Sequence, residues 1–169
     1  FETNNLIQDS FCASWISSFN VSGLHVDDNK NYLSVSAKHN AYENNFNYTH
    51  QRTIKIEKNN NNLIGEDKLI SFNKNKKLFN NYSIRFHLYP GISAVQTMGK
   101  NSILIQLEKN KSLLFTSSGE NLILEKSIFL GRNQIINNFC MTISGSLNNS
   151  ENKNIAWELK KNNWRWNRK

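Results

Sequence analysis

The sequence is short of the residues that interrupt or staple a chain: it has one proline, seven glycines and two cysteines in 169 residues. With so little proline, extended runs can continue without losing ladder hydrogen bonds. Two cysteines cannot build the dense disulfide framework of a small secreted scaffold, and Cys12 and Cys140 sit in no metal-ligand spacing. They read as small buried hydrophobes, since a disulfide would require distant parts of the chain to meet. No apolar run approaches the roughly 18 residues of a membrane-crossing helix. There is no GxSxG elbow, phosphate-binding glycine loop, HExxH pair or cysteine catalytic pattern. A helical stripe sustained over several turns is missing too, which argues against an α/β domain.

Asparagine and lysine, by contrast, are abundant. Runs at 59–62 and 73–77 look like enlargements of turns between structured segments, and an AT-rich genome would favour such codons. The formal charge of +8 suits polyanionic partners, although drifted surface lysines would give the same sum. The basicity is diffuse and carries no nucleic-acid motif, so a nucleic-acid partner is not expected. The length fits a single domain spanning 1–169 with a real core. Phe1 in place of an initiator Met, and a strand pattern running almost to the end, suggest the C-terminal piece of a longer protein.

Period-2 alternation between polar turns recurs along the chain. Extended segments are expected at 11–19, anchored by Trp15, and at 21–26, 32–39, 49–58, 63–72, 82–90, 102–107, 111–116, 122–130, 134–143 and 154–159. Residues 40–48 read as a polar, aromatic loop. So many short strands predict an all-β fold, a large antiparallel β-sandwich of the supersandwich kind with little helix. The tail at 160–169, KKNNWRWNRK, mixes bases with tryptophans. It could meet phosphate, a sugar ring or a membrane interface, and its plainest reading is a final edge strand with a frayed cationic end.

The segment YSIRFHLYP at 82–90 carries the densest chemistry. As a strand it points Tyr82, Ile84, Phe86 and Leu88 to one face and Ser83, Arg85, His87 and Tyr89 to the other. A His/Tyr pair beside an arginine can serve β-elimination from a uronate, although the same trio also fits simple packing and exposure. On 49–58, His50 and Arg52 share the parity of Ile54 and Ile56, so they sit at the core margin or beside buried polar partners. Glu66 and Asp67 face opposite ways, which makes a poor glycosidase pair. Gly65 is read as a turn before Asp67, whose carboxylate caps loop amides or pairs with Arg52. His39, His50 and His87 lie on separate strands, open to three readings: structural hydrogen bonds, the border of a ligand groove, or a metal site, for which no local ligand pattern exists.

The ordered segments His39-Asn40-Ala41-Tyr42, His50-Gln51-Arg52, Gly65-Glu66-Asp67 and Ile84-Arg85-Phe86-His87-Leu88-Tyr89-Pro90 resemble the C-terminal β domain of heparinase II/III-like polysaccharide lyases. The resemblance is to the alphaproteobacterial branch, with its HDGY-, HxR-, GxD- and RFHLHP-like pieces. It continues through 124–127, 134–136 and 155–157, and so covers most of the chain. Asn40 and Ala41 stand where that pattern has Asp-Gly, and Tyr89 where it has a second His. The resemblance implies a β-sandwich downstream of an α-helical toroid, in an exported or periplasmic bacterial enzyme that cleaves heparin-like or other acidic polysaccharides by elimination. It implies that the principal acid and base belong to the toroid and its junction, and that zinc occurs in some full-length members, with no cofactor held by this chain. His39, Tyr42, His50, Arg52, Asp67, Arg85, His87 and Tyr89 are then candidates for the cleft or its support rather than for the whole chemistry. A noncatalytic carbohydrate-binding or structural domain is the alternative, and a basic nucleic-acid binder the third.

Overall fold

The computed structural model describes residues 19–73, 79–108, 111–131, 134–148 and 151–162, and the readings at 11–18 and 163–169 lie outside them. The described chain forms β1 (Val21–Asp28), β2 (Tyr32–His39), one helical turn α1 (Glu43–Phe46), β3 (Tyr48–Glu57), β4 (Leu63–Ser71) and β5 (Phe79–His87). There follow β6 (Ser93–Gln96), β7 (Ser102–Glu108), β8 (Lys111–Ser117), β9 (Asn121–Gly131), β10 (Gln134–Asn148) and β11 (Lys153–Asn162). Two antiparallel sheets result, an eight-stranded one ordered β1-β2-β3-β4-β11-β8-β7-β6 and a three-stranded one ordered β5-β10-β9. The all-β sandwich expected from the alternation is present.

Asparagine shapes the turns as its side-chain chemistry allows. Between β1 and β2 the Asn29 side chain accepts from the Asn31 and Tyr32 amides at 2.9 and 3.1 Å. Between β3 and β4, Asn60 accepts from the Asn62 amide at 3.0 Å, and Asn61 takes a left-handed φ of 57°.

The core lies between the sheets. Tyr82, Ile84 and Phe86 of β5, with Leu88 just past its end, face inward, as period 2 requires, while Ser83, Arg85, His87 and Tyr89 are exposed. Phe86 packs on Phe115 and Trp157 with ring centroids 5.1 and 4.8 Å away. Fully buried Ile103, Ile143 and Ile155 fill the space around them. On one side Gln96 closes the sandwich, donating to the Leu122 carbonyl and accepting from the Leu124 amide. Among the described residues the opposite side stays open, because three strands cannot cover eight. There β1 to β3 overhang β5, leaving Val26, Val35, Ile54 and Ile56 exposed.

Two local readings, the Gly65 turn and the 40–48 loop, are corrected by the structure. Gly65 is not in a turn: it lies within β4, directly opposite Trp157 of β11. A Cβ built there would fall within the Trp157 ring, so the glycine is a notch that seats the indole. The extension expected over 63–72 is present: β4 is continuous and pairs with β3 on one side and β11 on the other. Of the 160–169 tail only 160–162 is described: it continues β11, which sits between β4 and β8, and there it pairs with β8, the rest of that reading lying outside the described residues. The 40–48 segment, read as loop, contains the turn α1, and its last residue, Tyr48, opens β3.

The notch gives a direct test. Gly65→Ala should cost about 2 kcal/mol or more of unfolding free energy, the usual scale of overpacking in a tight core. Urea denaturation measures it, and a variant as stable as the native chain would show that the indole has room to move.

Candidate functional site

Strand register alone brings the motif residues together. Arg52 of β3 stands directly opposite Asp67 of β4, and His50, two residues earlier on the same face, stands opposite His39 of β2. On the far flank of β4, Ile155 is opposite Asp67, which puts Trp157 one inward-facing position along. Three donors thus converge on one carboxylate that is only 1 % exposed. His50 Nε2 and Arg52 Nε reach Oδ1, each at 2.7 Å, and Trp157 Nε1 reaches Oδ2 at 2.9 Å. Burial raises the Asp67 pKa, but those three hydrogen bonds and the guanidinium charge outweigh it, and the carboxyl ends below its ordinary range.

The hydrogen bonds also fix the imidazole tautomers. The Ala41 amide donates to His39 Nδ1 at 3.3 Å, so the His39 proton is on Nε2, which lies 3.0 Å from His50 Nδ1. His50 therefore accepts at Nδ1 and donates its Nε2 proton to Asp67. A single-direction chain runs from the Ala41 amide through both rings to the carboxylate. His39 is held neutral by partial burial first, then by the neighbouring His50 and Arg52, all of which depress its pKa.

This chain backs a cleft of about 490 Å³ at the open side of the sandwich. Its walls carry His39, Tyr42, His50, Arg52 and Asp67 from the large sheet and its 40–47 loop, and Ser83 and Arg85 from the free edge of β5. Arg52 spends its Nε on Asp67, and its guanidinium lies 6.0 Å from the Phe86 ring. Arg85 donates to Ser83 Oγ at 3.4 Å and makes no ion pair among the described residues. Two guanidiniums beside partly apolar walls suit a carboxylate-bearing ligand.

His87 and Tyr89 are not in this cleft. They project from the outer face of β5, where His87 meets Ser127 Oγ at 3.2 Å and Tyr89 lies against Phe129. Arg85 shares their strand face but reaches round the β5 edge to the cleft, so the three do not form one constellation. The change from Asp-Gly to Asn40-Ala41 is tolerated because neither residue takes a positive φ. Trp157 and Phe46 belong to the site and were not singled out from the sequence. Only the neighbour relation of β4 and β11, which no spacing encodes, reveals Trp157 as the third donor.

Zinc, implied for some full-length relatives, does not fit here. Each imidazole nitrogen of His39 and His50 is engaged by Ala41, the other ring or Asp67. No group of three or more His, Cys, Asp and Glu among the described residues could hold a metal ion.

Removing the carboxylate charge should be costly. Asp67→Asn leaves one acceptor oxygen for three donors, so a loss of about 3–5 kcal/mol is expected by chemical denaturation, the scale for breaking a buried pair. Because the folded pKa of His39 is depressed, the unfolded chain takes up its proton first, and stability should fall as pH drops below about 6.5. The Asp67 contribution is present above the unfolded carboxyl pKa and lost as pH falls through the lower folded value. Thermal melts from pH 8 to 3 should show both declines in the native chain, and His39→Gln should remove the upper one; a native profile flat from pH 7 to 5 would contradict the lowered His39 pKa.

Comparison with known proteins places this geometry. A family model described as "Heparinase II/III-like, C-terminal" matches residues 7–158. Among solved structures, the heparan sulfate lyase HepC from Pedobacter heparinus superposes with a TM-score of 0.70 at 14% identity, covering 84% of this chain and 22% of that one. A HepC mutant from the same organism gives 0.69 at 12% identity, covering 95% and 27%. The heparinase III BT4657 gene product gives 0.66 at 10%, covering 87% and 22%. The chain thus spans roughly a quarter or less of the length of these structures, and at such identities they speak for the fold. No curated protein sequence gives a significant match. With the family model covering nearly all of the chain, this protein belongs to the heparinase II/III-like C-terminal family and is a polysaccharide-lyase-related domain.

Proposed function

We propose that the chain is the C-terminal domain of a polysaccharide lyase that cleaves uronic-acid-containing glycans, heparin- or heparan-like or otherwise acidic, by β-elimination. The observation that carries this reading is the gathering of Arg52, Arg85 and Tyr42 at the open side of a heparinase-like sandwich. In that reaction a base removes the proton at C5 of the uronate, the electrons form the C4–C5 double bond, the C4–O bond breaks and an acid protonates the leaving oxygen. The C5 proton is acidified when a cation neutralises the adjacent carboxylate. Arg85, with no carboxylate partner among the described residues, is suited to that role, and Arg52 adds positive charge while anchored to Asp67.

The acid and base themselves are assigned to an upstream α-helical toroid of the parent chain, in an exported or periplasmic bacterial protein of the alphaproteobacterial branch. Both cleft imidazoles are already spent in hydrogen bonds, so this domain offers no free histidine base there. The same observation favours the second reading, a domain that binds acidic carbohydrate without cleaving it. The two guanidiniums on the walls of one cleft support a carboxylate-bearing chain as the partner rather than nucleic acid.

Turnover separates the two readings. The parent protein, incubated with a panel of acidic polysaccharides, should generate the ultraviolet absorbance of unsaturated uronates, whereas the isolated 169-residue chain should generate none. A folded parent that gives no product with any of them would leave only the binding role, and product from the isolated chain would mean that the reacting groups are its own.

A further inference from the structure

The mouth of the cleft holds an aromatic corner that the elimination chemistry does not use. Tyr42 and Phe46 are 43 % and 46 % exposed, with ring centroids 6.2 Å apart and planes at 72°. What sets these two rings apart from the other exposed apolar side chains is that they touch each other and both line the cleft. Their position is firmly held. The Tyr42 carbonyl accepts from the Phe46 and Tyr48 amides at 3.0 and 3.2 Å. Glu43 accepts from Thr49 Oγ1 at 2.6 Å. Asn47, 2 % exposed and left-handed at φ 65°, exchanges hydrogen bonds with Asn73 at 2.8 and 2.9 Å.

The hydrogen-bond chain behind the cleft joins these anchors. His39 packs edge-on to the Tyr42 ring at 5.2 Å and accepts the Ala41 amide, so the ring that ends the chain also sets where the loop begins. Through His50, the height of Tyr42 over the cleft is referred back to Asp67.

We propose that Tyr42 and Phe46 form a stacking platform for one sugar ring of a uronate-bearing chain whose carboxylate lies toward Arg52 and Arg85, and that Asp67, acting through His50 and His39, is the positioning residue of that platform. This rests on the acidic-glycan reading above and adds the ring-binding subsite. The apolar face of a pyranose covers an aromatic ring, and such a contact, unlike an ion pair, survives salt. Two kinds of contact at adjoining positions then select a sugar polymer over a generic polyanion.

The test uses the 169-residue chain with an unsulfated glucuronate-containing hexasaccharide, titrated calorimetrically at low and high salt, with circular dichroism to confirm each fold. Tyr42→Ala should weaken binding about tenfold at both salt concentrations, a loss of about 1.4 kcal/mol. Tyr42→Phe should stay within about twofold of the native chain, because the ring is retained. Arg85→Ala should weaken binding mainly at low salt. His50→Gln, which can donate to Asp67 and accept from His39 as the imidazole does, should keep native affinity, whereas His50→Leu should lose as much as Tyr42→Ala. Native-like binding by folded Tyr42→Ala or folded His50→Leu would overturn the proposal, as would no binding by the native chain. Product formation by the parent is scored separately, so a lyase whose KM ignores Tyr42→Ala would refute the platform while leaving the elimination reading intact.

Discussion

One buried carboxylate holds the open side of this sandwich together. Asp67 is sealed from solvent in a strand flanked on both sides, and a carboxylate taken out of water so far survives only if donors replace its hydration. Three do so, one each from His50 and Arg52 of β3 and Trp157 of β11, so the side chain joins three neighbouring strands of the large sheet across their inner face. The interaction fixes more than stability. It aligns a guanidinium at the cleft wall, sets the tautomers of two histidines and, through them, anchors the loop that carries Tyr42. Structure and prospective binding surface therefore depend on the same group.

A second constraint makes that arrangement possible. Trp157 can bring its indole nitrogen to Asp67 and its ring to Phe86 and Phe115 only because Gly65 has no side chain beneath it. The tripeptide Gly65-Glu66-Asp67 is then a strand device with three separate duties. Gly65 makes room, Asp67 collects donors inside, and Glu66 faces outward to Asn154 and Lys68. The cleft, for its part, follows from unequal sheets: β5 ends the smaller one, while the larger continues through β3 and β2 beyond what the described strands cover.

Much of the fold was legible because the code that specifies it is local. Alternation at 32–39 coincides with β2, and the inward and outward sets of β5 were readable residue by residue. The turn reading of Gly65 failed because a glycine in a strand and a glycine in a turn look alike until the partner across the sheet is known. Likewise nothing in the residues of β11 itself tells that β4 and β8 flank it. At the site, parity placed His50 and Arg52 together, but the meeting of β2, β3, β4 and β11 is a property of strand order, which is nonlocal. For the same reason His87 and Tyr89, the residues most suggestive of proton transfer, turned out to lie on the outer face, away from the cleft.

The dependence on Asp67 is most directly visible in the imidazole nitrogens. Nitrogen-15 NMR of the native chain at pH 7.5 should show both His39 and His50 neutral and protonated at Nε2, with Nδ1 unprotonated in each. Either ring protonated at Nδ1 would mean that the chain of donors does not end at a charged Asp67, and the account of the cleft built upon it would be wrong.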